Sequence, residues 1–362
     1  MKHVDEWRDP ALLHALTERL ARRMTRPWTV LEVCGGQTHA FVRFGLLDLL
    51  PDGLRLVHGP GCPVCVTPLE VLERARRLAR RPSTALCTYG DMLRVPGVHG
   101  DLLGARADGA DVRLVASPLD VLRLARAEPA RDFVFLAVGF ETTAPTTAAL
   151  VELADRERLP NVSVLGAHVR VPPALDALLG APDANLDGVL AAGHVCTVEG
   201  LEDYEALAAR HGRPLVVTGF EPVDLLHGLL VCVDRLERGE AGVENAYARV
   251  VRPEGNVLAR AAVERVFRVA DVPWRGFGVL REGGLAVRDA SRDAVRRFAL
   301  PTLTLEEPAE CRAADVLRGR LRPTDCPAHG TRCTPEHPLG APMVSSEGAC
   351  AAYARAEVGS PA

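Results

Sequence analysis

The stretch LRLVHGPGCPVCVTPLE, residues 54–70, changes from a strand pattern to a helix pattern, and this change decides the fold. Residues 54–57 predict a short strand. Residues 67–70 combine a capping box with proline at the first helical position, and this predicts the start of a helix. The loop between them carries Cys62 and Cys65 beside the positive end of that helix, where thiols ionise easily. The stretch therefore predicts a strand–loop–helix unit with redox or metal chemistry at its loop.

The same alternation continues along most of the chain and defines the fold class. Amphipathic stretches such as Leu69 to Ala79, Leu119 to Ala127 and Leu201 to Arg210 separate short apolar runs. These runs lie at 29–33, 54–57, 84–88, 112–116, 133–138, 161–165, 187–191 and 214–218. Alternation of this kind predicts parallel sheets covered by helices. Eight strands can form one barrel or two open α/β units, and the irregular spacing favours two open units around a cleft.

The predicted domain boundaries follow changes in this pattern. An N-terminal helix within residues 1–27 is expected to pack on the C-terminal domain. The two α/β domains are expected at 28–128 and 129–240, with a proline-containing joint at residues 127–130. After residue 240 the alternation stops. A helix at 255–269, a glycine-rich patch and a cysteine-rich tail predict a helical and loop-rich third domain over 241–362.

Composition excludes several classes of function. The net charge of −4 and the pI near 6.3 give no basic surface for nucleic acid. No apolar run approaches the roughly 20 residues that span a bilayer. The charged N-terminus, Met1 to Trp7, lacks the apolar core of a signal peptide. We therefore expect a chain of the reducing cytoplasm, where its ten cysteines are metal or redox groups rather than structural disulfides.

A second turn has the same pattern, a predicted strand followed by a glycine-rich loop with a cysteine. Residues 31–33 lead into Cys34-Gly35-Gly36-Gln37-Thr38-His39. Cys34, Cys62 and Cys65 thus all follow predicted strands, which predicts an active site. The alternative is a zinc site that His39 or His58 would complete. Cys87 and Cys232 lie in apolar segments instead, and we expect them in the core.

The tail carries another group of thiols. Cys311, Cys326, Cys333 and Cys350 have the spacing Cys-x14-Cys-x6-Cys-x16-Cys. Four thiolates in a compact, loop-rich segment suit either zinc or an iron–sulfur cluster. Zinc sites usually contain paired cysteines two to four residues apart, so the wide spacing favours a cluster over zinc and over plain structural cysteines.

Two further strand-end loops complete the candidate site. One is Gly139 to Pro145 and the other is Gly193 to Thr197. Neither matches a phosphate-binding motif, which argues against a nucleotide enzyme. Glu141 in the first loop is the best acid candidate, although a carboxylate there can simply cap a helix dipole. His194 and His39 can each contact the site or only hydrogen-bond a turn.

Five ordered motifs give this chain a specific resemblance. They are residues 34–39, residues 59–65, residues 140–145, residues 193–195 and the tail Met343-Val344-Ser345-Ser346-Glu347-Gly348-Ala349-Cys350. Together they resemble the HypD family of hydrogenase maturation factors from about residue 30 to residue 354. Gln37 and Cys196 stand where that resemblance leads one to expect histidine and serine.

The resemblance implies a function, partners and a cofactor. It implies two α/β domains and a third domain with a [4Fe–4S] cluster on the four tail cysteines. It also implies work with the carrier HypC and the cyanide donor HypE, within the maturation pathway of the hydrogenase large subunit. The product is the Fe(CN)2CO group of [NiFe]-hydrogenases.

A mechanism can be stated as an expectation. Cys34, together with a thiol of HypC, would hold Fe(II) carrying CN and CO, and Cys62 with Cys65 would cycle between dithiol and disulfide. The cluster would supply electrons, while Glu141, His194 and His39 would assist at the site. Two alternatives stay open: a thiol–disulfide or electron-transfer iron–sulfur oxidoreductase, and a non-catalytic iron scaffold. Sequence alone does not decide whether the chain turns over as an enzyme.

Overall fold

A computed structural model describes residues 5–359 of the chain. The charged N-terminal stretch 1–7 and the predicted helix segment 1–27 both begin with residues 1–4, which lie outside the described residues. The strands are β1 (Trp28–Glu32), β2 (Leu54–His58), β3 (Thr84–Thr88), β4 (Val112–Leu114), β5 (Asp132–Gly139), β6 (Val162–Val169), β7 (Gly188–Ala192), β8 (Pro214–Thr218), β9 (Gly242–Asn245), β10 (Phe267–Trp274) and β11 (Gly278–Val287).

Helices fill most of the connections between these strands. They are α1 (Pro10–Arg23), α2 (Gly35–Arg43), α3 (Pro63–Val66), α4 (Leu69–Ala79), α5 (Leu102–Ala107), α6 (Asp120–Ala127), α7 (Ala144–Arg156), α8 (Val171–Leu179), α9 (Gly193–Glu199), α10 (Glu202–His211), α11 (Pro222–Glu237), α12 (Val257–Val266), α13 (Ala294–Arg297), α14 (Ala313–Leu317) and α15 (Ala349–Gly359). Short 3₁₀ turns occur at Asp5–Trp7, Leu46–Leu49, Gly90–Arg94, Pro323–Asp325 and Ala341–Met343.

The first sheet has five strands in the order β2-β1-β7-β8-β9, and every pairing in it is parallel. Its central strands are buried along their whole length, which explains their continuous runs of valine, leucine and alanine. Helices on both faces supply the cover, with α11 and α2 contributing to one cluster of buried apolar side chains.

The second sheet has six strands in the order β10-β11-β6-β5-β3-β4. Strands β4, β3, β5 and β6 are parallel, whereas β11 and β10 add an antiparallel hairpin at one edge. The predicted α/β class with two units containing parallel sheets is therefore confirmed.

Strand membership differs from the predicted domain boundaries. The first sheet takes strands from residues 28–58 and again from 188–245, while the second takes strands from 84–169 and 267–287. The chain thus crosses between the sheets, and the expected sequential units 28–128 and 129–240 do not describe them. Residues 127–130 form a turn inside the second sheet rather than a joint. A periodic pattern locates strands but does not say which strands pair, so it could not show the crossing.

Two other predictions are corrected by the packing. Helix α1 packs mainly on α11 of the first sheet, because Leu16 and Leu20 join the apolar cluster under that helix; from the predicted C-terminal domain, Arg249 stacks on Trp7 just before α1. Thr67 does not cap α4. Its hydroxyl donates to the carbonyl of Pro63 in the extra helix α3, and Pro68 occupies the N-cap of α4.

The segment after residue 300 has little regular structure. A small apolar cluster around Met343, Ala351 and Ala354 holds it together. Helix α15 packs on α2, and the turn Ala341–Met343 packs on α3. The tail is therefore attached to the two helices that follow β1 and β2. Within residues 5–359, no helix combines the length and apolar character that crossing a bilayer requires.

Candidate functional site

Two cysteine-bearing turns lie side by side at one edge of the first sheet. Cys34 follows β1 as the N-cap of α2, and Cys62 follows β2 as the N-cap of α3. Strands β1 and β2 are parallel neighbours, with Glu32 opposite His58 at their carboxyl ends. Parallel pairing therefore brings the two turns together, as the shared strand-end position predicts.

Glycine allows these turns to touch. The Gly35 N–H donates to the carbonyl of Gly61 at 2.9 Å. A Cβ atom at position 61 would lie 2.4 Å from both the Cα and the N of Cys34. A Cβ at position 35 would lie 2.1 Å from the carbonyl oxygen of Glu347 in the tail. The glycines of both motifs are thus required by close backbone approach.

The three thiols of these turns are in two states. Cys62 and Cys65 form a disulfide and are both buried, whereas Cys34 is free and also buried. Burial raises the pKa of Cys34 to about 12, and the charges of Glu32 and Glu347 add to that rise. Backbone hydrogen bonds from Gln37 and Gly36 oppose it. Without a bound cation, the Cys34 thiol therefore stays protonated at neutral pH.

His194 lies next to Cys34. It follows β7, the strand that pairs with β1 on the side opposite β2. Its Nδ1 is 3.9 Å from the Cys34 sulfur, and its ring packs on Phe220. Burial lowers the pKa of His194 to about 4, so the ring is neutral. The structure therefore brings two of the predicted site residues into direct contact.

A cavity of about 420 Å³ is lined by Gly61, Pro63 and Val64 of the Cys62 turn and by His194, the neighbour of Cys34. Loops after β2, β3, β5 and β7 line it together with the tail motif. The lining includes Val64, Tyr89, Asp91, Thr143, His194 and Glu347. Burial and the charge of Asp91 raise the pKa of Glu347.

Sequence reasoning did not select Tyr89, Asp91 or Glu347. Tyr89 and Asp91 directly follow β3, so their strand-end position was a usable signal.

Glu141 lies beside this cavity but does not line it. One carboxylate oxygen accepts the Val171 N–H at 2.8 Å, at the start of α8. The other oxygen is buried and accepts no hydrogen bond from the described residues. Burial raises the pKa of Glu141 to about 8, and the charge of nearby Glu199 adds to that rise. Glu141 is therefore held protonated near neutral pH inside the core.

Glu141 should make folding stability depend on pH. In the unfolded chain a glutamate ionises near pH ~4.3. The pKa of Glu141 in the folded protein is raised to about 8, so the stability that its protonated form contributes is fully present below the pKa of the unfolded chain. That stability is lost as the pH rises to about 8. A glutamine side chain does not ionise, so Glu141→Gln does not lose stability in this way. Relative to wild type, the variant should therefore gain on the order of a few kcal/mol of unfolding free energy between about pH 5 and about pH 8.

Urea unfolding of both proteins across this pH range measures the difference. Glu18→Gln is the matched control, since the Glu18 side chain is 68% exposed. Parallel pH curves for wild type and Glu141→Gln would show that Glu141 is ionised in the folded protein.

His39 is placed away from Cys34. It lies on α2 and lines a separate surface groove with Arg43, Tyr353 and Arg355. Burial, together with the charges of Arg43 and Arg355, lowers its pKa. The structure does not bring His39 to the cavity that His194 lines.

His58 has partners at both ring nitrogens. Nδ1 is 2.6 Å from Glu32 Oε1, and Nε2 is 2.8 Å from the hydroxyl of Tyr353. In the described part of the chain, no group of three or more His, Cys, Asp or Glu side chains is arranged to hold a metal ion. The geometry therefore does not support a zinc site on Cys34, Cys62 and Cys65 with either histidine.

The four tail cysteines surround one small cavity. Cys311, Cys326, Cys333 and Cys350 all line it, together with Pro342 and Met343. All four are free thiols. Burial raises the pKa of Cys350, and the other three thiols raise it further. A Cβ at Gly340 would lie 2.3 Å from the Cys311 sulfur, so glycine is required at this wall. Four thiols around one cavity are a donor set that suits an iron–sulfur cluster, but in the described residues their side chains are not arranged as a metal-binding group, so the donor chemistry and not the geometry supports a bound group.

The remaining cysteines belong to the core. Cys87 and Cys232 are fully buried among apolar side chains, as predicted. Cys196 is also fully buried, and burial raises its pKa to about 12.

Comparison with known proteins gives a consistent result. The HypD family model, described as the hydrogenase formation hypA family, matches residues 11–357. The chain is 48% identical to the hydrogenase maturation factor HypD of Azotobacter vinelandii over 98% of this chain and 96% of that protein. It is 45% identical to HypD of Rhodobacter capsulatus, over 98% of this chain and 97% of that one. It is 44% identical to HypD of Escherichia coli K12, with the same coverage of both chains. The chain therefore belongs to the HypD family of hydrogenase maturation factors.

Proposed function

We propose that this chain assembles the Fe(CN)2CO group of [NiFe]-hydrogenases together with a HypC-type carrier and a HypE-type cyanide donor in the reducing cytoplasm. One observation carries the proposal. The free thiol of Cys34 and the Cys62–Cys65 pair stand on two touching turns, and one cavity is lined by the Cys62 turn and by His194, which contacts Cys34. A thiol suited to iron and a pair suited to two-electron chemistry are thereby adjacent, and a cyanide-transfer site needs both.

Cys34 is the proposed ligand for the iron that is processed. Burial keeps its thiol protonated in the absence of a cation, since its pKa is raised to about 12. A bound metal ion would favour the thiolate instead, because coordination to a metal deprotonates a thiol. The soft thiolate suits iron that also carries CN and CO. Neutral His194, with Nδ1 3.9 Å from the sulfur, can accept the departing proton or orient the cyanide donor.

Cys62 and Cys65 are the proposed electron source for cyanide release. As a dithiol they give up two electrons and two protons when the disulfide forms. A thiocyanate R–S–CN takes up the two electrons and one proton to give R–SH and CN⁻, and the second proton is released. In this scheme the Cys62–Cys65 disulfide is the oxidised product of that step.

The four tail cysteines would hold a [4Fe–4S] cluster. Such a cluster supplies one-electron chemistry when it is bound. The cavity proposed to hold the cluster is connected to the disulfide turn by two residues. Pro342 and Met343 line the cysteine cavity, and their turn packs on α3, the helix that carries Cys65.

Anaerobic co-purification with the HypC-type carrier tests the proposal. Iron analysis and infrared spectroscopy of the complex should show iron with bound CN and CO. Iron without these bands would favour the scaffold alternative. An iron-free complex with thioredoxin-type reductase activity would favour the oxidoreductase alternative.

A further inference from the structure

A chain of hydrogen bonds, buried at Glu32 and part-buried at its last contact, connects Cys34 to the C-terminal helix. It begins at Glu32 and His58, which lie opposite each other at the ends of β1 and β2. Residues at matched positions of neighbouring strands point to the same face, so these two side chains meet. The His58 Nδ1 is 2.6 Å from Glu32 Oε1, and both side chains are at most 5% exposed.

Glu32 holds the turn of Cys34. Its Oε2 accepts the backbone N–H of Cys34 at 2.9 Å. Its Oε1 accepts the hydroxyl of Thr38, one turn further along α2. A carboxylate only accepts hydrogen bonds, so His58 donates from Nδ1. Three donors thus converge on one buried carboxylate, and each fixes the position of the others.

Tyr353 extends the chain of hydrogen bonds to α15. Its hydroxyl lies 2.8 Å from His58 Nε2, and the two rings meet edge to face. Burial raises the pKa of Tyr353 to about 12, so the hydroxyl keeps its proton. The hydroxyl and the His58 Nε2 therefore share a hydrogen bond. Tyr353 is one helical turn after Cys350, and α15 packs on α2.

We infer that Tyr353 and His58 are positioning residues that hold the Cys34 turn through Glu32 and so tie it to the helix that carries Cys350. They act on the backbone of Cys34 and do not contact the iron site. This inference matters for function only if Cys34 has its proposed role in iron binding. The hydrogen bonds that connect Tyr353 to the Cys34 turn are present whether or not iron binds there. A carboxylate or imidazole without a hydrogen-bond partner in this core would lower the stability of the fold, so each of these residues favours the arrangement in which all the hydrogen bonds are made.

Thiol labelling of the iron-free protein tests the coupling. Tyr353→Phe removes one hydroxyl and keeps the ring. Labelling by N-ethylmaleimide is followed by mass spectrometry of the tryptic peptide 24–43, in which Cys34 is the single cysteine. Peptide 211–235 contains only Cys232, a fully buried core thiol, and it reports global opening. Tyr247→Phe removes a hydroxyl outside this chain of hydrogen bonds and is the matched control.

The labelling rate of Cys34 should rise about fivefold in Tyr353→Phe, the factor that corresponds to one net hydrogen bond of roughly 1 kcal/mol. His58→Gln should raise it at least as much. Cys232 labelling should stay unchanged in both variants, and Tyr247→Phe should match wild type at Cys34. Unchanged Cys34 labelling in both variants would overturn the inference, and so would an equal rise at Cys232. Since no iron is present, either result is independent of the proposed iron chemistry.

Discussion

Cys34→Ala is expected to remove the cyanide-bearing iron from the complex with the HypC-type carrier. The expected loss of iron affinity is at least about tenfold, since even the outer partners of metal ligands contribute ten- to hundredfold. Cys34 is the free thiol at the touching turns, so no sulfur there replaces it while Cys62 and Cys65 are joined. Iron content and infrared CN bands measure the loss. The variant should keep a titratable dithiol.

Cys65→Ala is the complementary variant. It should abolish the dithiol–disulfide couple and still permit iron to bind at Cys34. Free-thiol titration and iron analysis on both variants separate the two roles. If both variants lose iron equally and neither alters the redox titration, the three cysteines form one metal site and the division of roles is wrong. Cys232→Ala removes a core thiol outside the site and should leave iron unchanged.

Cys326→Ser and Cys333→Ser are expected to abolish the broad visible absorption of a bound cluster. Each also should destabilise the segment after residue 300, because metal binding and folding are linked and the apolar cluster there is small. Visible absorption, iron content and the unfolding transition of the purified protein measure both effects. Cys232→Ala, again the control, should retain colour and iron. A colourless wild-type protein with zinc, and no loss of iron in either variant, would contradict the cluster assignment.

Much of the secondary structure follows from local pattern. Helix α4 spans Leu69–Ala79 as predicted, and β3 and β8 have their predicted bounds. These elements are buried and strongly periodic, so local sequence determines them. The β10–β11 hairpin was not predicted, because the glycines of β11 resemble a loop and β10 continues directly from α12. The pairing of β1 with β7 depends on contacts between distant segments, which local pattern does not encode.

In the candidate site, too, some features follow from local sequence and others from contacts between distant segments. Cys34, Cys62 and His194 could be grouped from sequence because each follows a parallel strand, and parallel strands end at a common edge. His39 was included by proximity to Cys34 along the chain, but the helix turns it to another surface. The contact between His58 and Tyr353 joins residues 295 positions apart, so no spacing rule could indicate it.

The crossing of the chain between its sheets also affects the order in which a ribosome can complete them. Strand β1 lies in the interior of its sheet, between β2 and β7. During synthesis, β1 and β2 emerge long before β7, and the whole parallel part of the other sheet is made in between. One edge of β1 therefore stays without its neighbour until residues 188–192 leave the exit tunnel. During that interval the two cysteine turns lack their neighbouring strand β7, and the unpaired edge of β1 is open to non-native pairing.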